Sequence, residues 1–294
     1  MPAPRDFTWP NGAKLALSIV VNVEEGAEQN IRDGDRGPEP VDELGAAPTR
    51  PMRAHGNESN YLYGVKAGWP RVRDMLDARK LDCTITAAAL ALERAPQIAA
   101  DIRARSWEVA AHGLRWSHQY WMDEDKERAF IAGARDSIER SVGARPKGWL
   151  SRYLHTEATR RIVAEEGYAY HMDDYSDDFP FWDVVETRAG PKPLVIVPYA
   201  IDTNDMKMWV VPSYTPWDWA QYMIDSFDYL IDETKDGAAR MMSVGLHLRI
   251  VGRPGRAKAL ARVLDHVAGR EDVWVASRAA IAAHFSAHVS APTT

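Results

Sequence analysis

Residues 15–23 are almost continuously apolar, through Leu15, Leu17, Ile19, Val20, Val21 and Val23, and they become β-branched toward their end. A strand of this kind suits a position covered on both faces, which is the environment of a parallel sheet packed by helices. The chain then turns abruptly polar at Glu24 and Glu25, and Gly26 lets it bend away. In α/β sheets and barrels, residues just past the C-terminal ends of strands face the ligand crevice. Two neighbouring carboxylates at such a place repel each other unless a metal, a cation or a shared proton relieves the cost.

The same strand-then-polar arrangement recurs along the chain. Spacing predicts a helix over 65–80, a strand over 81–86, and a helical pair over 87–105 broken at Pro96. A strand over 107–111 ends at His112-Gly113, and an amphipathic helix covers 123–142. A short strand over 146–150 runs into Ser151-Arg152, a helix covers 156–166, and a strand over 168–171 ends at Asp173-Asp174. The strand over 194–197 leads to Pro198-Tyr199, a helix covers 217–233, and the strand over 243–246 ends at His247. A helix over 255–269, a strand over 273–275 and a helix over 277–285 complete the chain. No linker divides this series, so residues 1–294 are read as one α/β domain, a barrel-like array of βα units. Residues 26–61 are polar, rich in Gly and Pro, and without period. That segment is expected to be a loop beside the site or an arm to another subunit.

The net charge of -6 argues against nucleic acid as a partner. No apolar run is long enough to span a bilayer, and the N-terminus shows no apolar secretory core, so a cytoplasmic location without membrane contact is expected. The single cysteine, Cys83, excludes an intrachain disulfide and a Cys-rich zinc site, and it lies within a predicted strand as a small buried residue.

The ionisable residues at the strand ends form a constellation of Glu24, Glu25, His112, Arg152, Asp173, Asp174, His247 and Arg249. Each alone is weak, because a histidine after an apolar strand is usually structural and paired aspartates often cap turns. Their collection at the same end of successive strands is what a barrel enzyme requires.

In this order the motifs resemble the polysaccharide deacetylase superfamily, the NodB-homology group, from about Lys14 to Phe285. The matching segments are Glu24-Glu25-Gly26, Ala111-His112-Gly113, Arg145-Pro146-Lys147-Gly148-Trp149, Asp173-Asp174 and Gly245-Leu246-His247. Longer strings at 22–28, 112–116, 175–182, 198–206 and 243–249 are similar to the allantoinase-like branch and the related cyclic imide hydrolases. The resemblance implies a distorted (β/α) barrel and a hydrolase that opens the C–N bond of a small cyclic imide or amide. An allantoinase and a metal-dependent oligosaccharide deacetylase are the alternatives. Val23, Leu114 and Ser117-His118 depart from the allantoinase pattern and tilt the expectation toward a cyclic imide.

Metal-dependent members hold a divalent ion with one Asp and two His, the second His four residues after the first. Here Trp116 stands four residues after His112, and a Glu pair replaces the Asp pair. No metal is therefore expected; if one such as zinc were bound, Glu25, His112 and His118 would be its ligands. Glu24 or Glu25 is expected to activate water, with His112 and His247 supplying protons or hydrogen bonds. Trp116 and Tyr199 are expected as walls for a flat ring, and Arg152, Asp174 and Arg249 as polar contacts to substrate. A homodimer or homotetramer is expected, with residues 26–61 packed on a neighbouring subunit.

Overall fold

The computed structural model describes residues 7–45, 48, 50–210 and 213–293. Strand β1 (Leu15–Val23) opens a βα series through helices α1 (His55–Tyr63) and α2 (Trp69–Arg79) and strand β2 (Thr84–Ala87). Next come α3 (Ala89–Arg94), α4 (Pro96–Arg105), β3 (Glu108–Ala111), α5 (Glu124–Val142), β4 (Gly148–Trp149), α6 (Thr159–Glu165) and β5 (Tyr170–His171). A hairpin of β6 (Phe181–Thr187) and β7 (Gly190–Ile196) precedes α7 (Pro216–Glu233), β8 (Arg240–His247) and the short α8 (Leu248–Val251). The chain closes with α9 (Pro254–Val267), β9 (Val273–Val275) and α10 (Arg278–His288).

The strands lie in the order β6-β7-β5-β4-β3-β2-β1-β8, with β9 on the start of β1. All pairings are parallel except the β6–β7 hairpin. No ladder joins β7 to β8. Residues 197–204 cross that gap instead. Val197 N donates to His171 O at 3.0 Å and Tyr199 N to Asp174 O at 3.0 Å on one side. On the other side Gly245 N donates to Thr203 O at 3.0 Å and Thr203 Oγ1 to Ser243 O at 2.6 Å. The result is the distorted barrel that the motif order implied.

Strand parity sorts the core into two shells. Leu15, Leu17, Ile19, Val21 and Val23 of β1 point outward into the helix layer with Val72, Leu76, Ile98 and Leu260. Ala16 and Val20 point inward, with Ala110, Leu150, Tyr170, Met172 and Met241. Phe7, Trp9, Phe179 and Phe285 close the lower end of that inner shell.

Two differences from the sequence expectation have local causes. Strand β6 was missed and β7 starts before residue 194, because Pro191 and Pro193 disguise a hairpin that needs fewer ladder donors at the sheet edge. Helix α1 begins inside the supposed loop. Its polar sequence, His55 to Tyr63, gives no apolar stripe, and it continues through a π turn at Gly64–Gly68 into α2. The described residues of 26–45 and 50–54 pack on their own chain, in keeping with the loop-beside-the-site expectation. Asp33 pairs with Arg94 at 2.7 Å, Asp35 with Arg115 at 2.5 Å, and Tyr61 Oη donates to the Val41 carbonyl at 3.1 Å.

Candidate active site

Register brings the polar residues to one level. Val23 pairs with Ala87, Ala87 with Ala111 and Ala111 with Trp149, so Glu24, His112 and Leu150 follow at the same height. Asn22 lies between Thr86 and His247. Glu24, His112 and His247 share the inward parity, and they line a narrow cleft of about 40 Å³ with Trp116, Tyr153 and Tyr199. Glu25 has the opposite parity. It borders a separate cavity between the 26–58 segment and α3. Its carboxylate packs so closely on Gly64 that a side chain there would meet Oε1 at 2.5 Å.

Glu24 is the hub. Its Oε2 accepts from Arg249 Nη1 at 2.8 Å, and its Oε1 lies 3.4 Å from both His112 Nε2 and His247 Nε2. Burial would raise its pKa, but the charges on His247 and Arg249 prevail and hold it well below the usual carboxylate range. For Glu25, burial dominates, Arg249 opposes it only in part, and the charge of Glu24 adds to it, so its pKa rises to about 7.

His247 is clamped by Asp205, which sequence reasoning missed. Asp205 accepts from the His247 backbone N–H at 2.7 Å through Oδ2, and Oδ1 faces His247 Nδ1 at 2.7 Å. Burial lowers the imidazole pKa, yet the charges of Glu24 and Asp205 override it and push it up to about 10. His247 is thus an imidazolium at neutral pH with Nε2–H turned toward Glu24. Asp205 lay within the 198–206 string, but it follows a loop rather than a strand, so the strand-end rule passed over it.

His112 is fixed from both sides. Nδ1 faces the Leu150 carbonyl at 2.8 Å and so carries a proton, and Nε2 receives the Trp116 indole N–H at 3.2 Å. Trp116 is also stacked by the Arg152 guanidinium, 3.7 Å from the ring centre.

Both arginines expected to meet substrate are already engaged. Arg152 pairs with Glu39 at 2.5 Å and donates to the Trp116 carbonyl at 2.7 Å. Arg249 pairs with Glu24 and, through Nε, with Glu43 at 2.8 Å. Both glutamates come from the long segment, which therefore braces the site of its own chain. Asp174 does not line the cleft: its carboxylate accepts from Ser176 and from Arg160 of α6. Asp173 accepts from Ser151 N at 2.8 Å and pins that turn. Tyr199 and Trp116 do line the cleft.

The polysaccharide deacetylase family profile matches residues 60–171. A polysaccharide-deacetylase-like protein of Schizosaccharomyces pombe is 33% identical over 296 residues, spanning 95% of this chain and 92% of that one. The crystal structure of a probable polysaccharide deacetylase from Pseudomonas aeruginosa PAO1 is 36% identical, with a TM-score of 0.90 over 98% of this chain and 95% of the other. That of PuuE allantoinase is 38% identical, with a TM-score of 0.91 over 100% of this chain and 96% of the other. The chain belongs to the polysaccharide deacetylase family, a family of hydrolases.

The residues do not fit the family's metal site. The indole N–H of Trp116 occupies the His112 nitrogen that a metal would need. The alternative set of Glu25, His112 and His118 does not converge, since Glu25 points into the helix layer and His118 Nδ1 faces the Arg152 carbonyl at 3.1 Å. Among the described residues, no three His, Cys, Asp or Glu side chains are grouped to hold a metal. No described helix is long and apolar enough to cross a membrane.

Proposed function

We propose that this protein hydrolyses the C–N bond of a small cyclic imide or amide without a metal. The observation that carries the reading is the Glu24 carboxylate in contact with His247 Nε2, 3.4 Å apart, on the lining of a small cleft walled by Trp116, Tyr153 and Tyr199. Glu24 takes a proton from a water as the water oxygen attacks the ring carbonyl carbon. The C–N bond of the tetrahedral intermediate then breaks, and the nitrogen takes a proton from His247 Nε2. Glu24 returns its proton to His247, so one water is added overall. An imide nitrogen leaves readily because its second carbonyl spreads the charge, which lessens the need for a Lewis acid.

The likeness to an allantoinase supports a small ring as substrate, and the departures at Val23, Leu114 and Ser117-His118 favour an imide. The test is hydrolysis of succinimide, phthalimide, dihydrouracil and allantoin, each with and without a chelator. The expected result is imide opening that survives chelation. Activity lost on chelation and restored by zinc would replace the metal-free chemistry. Acetate release from an N-acetylated oligosaccharide, with every ring untouched, would replace the substrate class.

A further inference from the structure

Besides the buried Arg152 Nε and Arg249 Nη2, two donors on the cleft floor, from Tyr199 and Asn204, find no acceptor among the described residues. Asn22 Nδ2 donates to the Leu246 carbonyl at 3.1 Å, and a carbonyl only accepts, so this end of the amide is the NH2 group. Asn22 Oδ1 accepts from Thr86 Oγ1 at 2.6 Å, in agreement. The second Nδ2 hydrogen goes to Tyr199 Oη at 2.9 Å. The phenol oxygen is therefore an acceptor in that bond, and its own proton must point elsewhere. No described residue accepts it, and burial pushes the phenol pKa up, so the proton stays on.

Asn204 repeats the logic. Its Oδ1 accepts from Met206 N at 3.0 Å, and a backbone N–H only donates, so its other terminal atom is nitrogen. That nitrogen has no acceptor among the described residues, although Asn204 is only 8% exposed and lines the cleft. The residue is held by its bridge to Gly245 and by Trp219 Nε1 donating to its carbonyl at 3.1 Å. Both free donors meet above Gly245. A methyl group built on Gly245 would come within 2.5 Å of Asn204 Nδ2 and 2.6 Å of Tyr199 Oη, so the bare backbone makes the room.

We infer that Tyr199 Oη and Asn204 Nδ2 are the oxyanion-binding pair of this cleft, receiving the carbonyl oxygen of the ring as its carbon turns tetrahedral. This rests on the ring-opening reading. It leaves His247 to serve the departing nitrogen, and it makes Asn22 a positioning residue that turns the phenol toward substrate.

The test begins with Tyr199→Phe and Asn204→Asp. The second keeps an acceptor for Met206 N while removing the NH2 donor. Each is expected to lower kcat by about 10²–10³ while KM moves little. Asn22→Asp offers the phenol a carboxylate to donate to, so it should match Tyr199→Phe and add little when combined with it. A kcat within about threefold of the parent in both Tyr199→Phe and Asn204→Asp overturns the pair. Neutron diffraction from deuterium-exchanged crystals of the unliganded parent protein decides the donor geometry independently of turnover. Deuterium on Tyr199 Oη directed into the cleft, with an Asn204 ND2 group facing it, is expected. Deuterium directed at Asn22, or a reversed Asn204 amide, overturns the inference. If none of the rings is hydrolysed, the ring-opening reading falls and the neutron map still judges the pair.

Discussion

Of the fully buried arginines, Arg249 and Arg278 divide the barrel. Arg249, just past β8, is bonded to Glu24 and Glu43 and lies 3.7 Å from Glu25. Arg278, at the start of α10, reaches the barrel interior and forms no ion pair among the described residues. Its guanidinium donates to the carbonyls of Val197 and Pro198 and to the hydroxyls of Ser243 and Ser18. Those carbonyls belong to the segment crossing the β7–β8 gap, where no ladder satisfies them. Burial lowers the Arg278 pKa to about 10, whereas the carboxylates around Arg249 outweigh burial and raise its pKa well above the usual value. Buried charge alone therefore does not mark the active end of this molecule. At the seam the charge is spent on closing the barrel. At the cleft it holds Glu24 ionised beside a cavity, with donors to spare.

The largest expected effect comes from removing the carboxylate at the cleft. Glu24→Gln should lower kcat by about 10²–10⁴ with the fold retained. It should also move His247. In the parent the raised pKa, about 10, keeps the imidazolium charged below that pH, and its contribution to stability is lost as pH rises through it. Without the Glu24 charge the titration should shift downward, read by NMR of the imidazole. A variant with near-normal turnover would remove the distinction between cleft and seam.

Much of this contrast was legible in the chain. The strand ends placed Glu24, His112 and His247 together because a parallel barrel aligns them by register. The sequence expectation left Glu24 and Glu25 undivided, because Val20 breaks the polar alternation of Ser18, Asn22 and Glu24; the inward parity that separates them is seen only in the folded strand. Asp205, Glu39 and Glu43 were not legible, because each reaches the site from a loop whose path no local pattern specifies. The engagement of both arginines was hidden for the same reason. Arg278 was hidden because its role depends on a gap between strands far apart in sequence.

The seam gives the second test. Arg278→Met removes the charge but leaves the Val197 and Pro198 carbonyls without that donor. Stability should fall by roughly 3–4 kcal/mol in denaturant melts. Turnover per folded molecule should fall less than in Tyr199→Phe, because no Arg278 hydrogen bond reaches Glu24, His112 or His247 and its guanidinium meets the cleft only over the Tyr199 ring, 5.8 Å from the ring centre. A larger loss of turnover with unchanged stability would move Arg278 into the working end and collapse the comparison.

The smallest effect separates the two adjacent glutamates. Glu25 accepts from Arg249 N at 3.1 Å and from Glu24 N at 3.2 Å, away from the cleft. Its pKa, raised from 4.5 to about 7, means that the folded state holds a proton that the unfolded chain releases. The folded state binds more protons across that window, so Glu25 should subtract stability as pH rises from about 4.5 to about 7. Glutamine removes the charge but keeps only one of the two acceptors that the backbone N–H groups of Arg249 and Glu24 use, a loss that does not depend on pH. Relative to the parent, Glu25→Gln should therefore gain stability between pH 4 and pH 8, by about 3 kcal/mol at most. Urea melts of both proteins across that range measure the difference, and turnover should stay within about tenfold. If the parent gains stability relative to the variant as pH rises, the Glu25 carboxylate is held by favourable charge rather than penalised by burial. If turnover falls as far as in Glu24→Gln, parity does not separate the pair, and the reaction draws on both faces of the strand end.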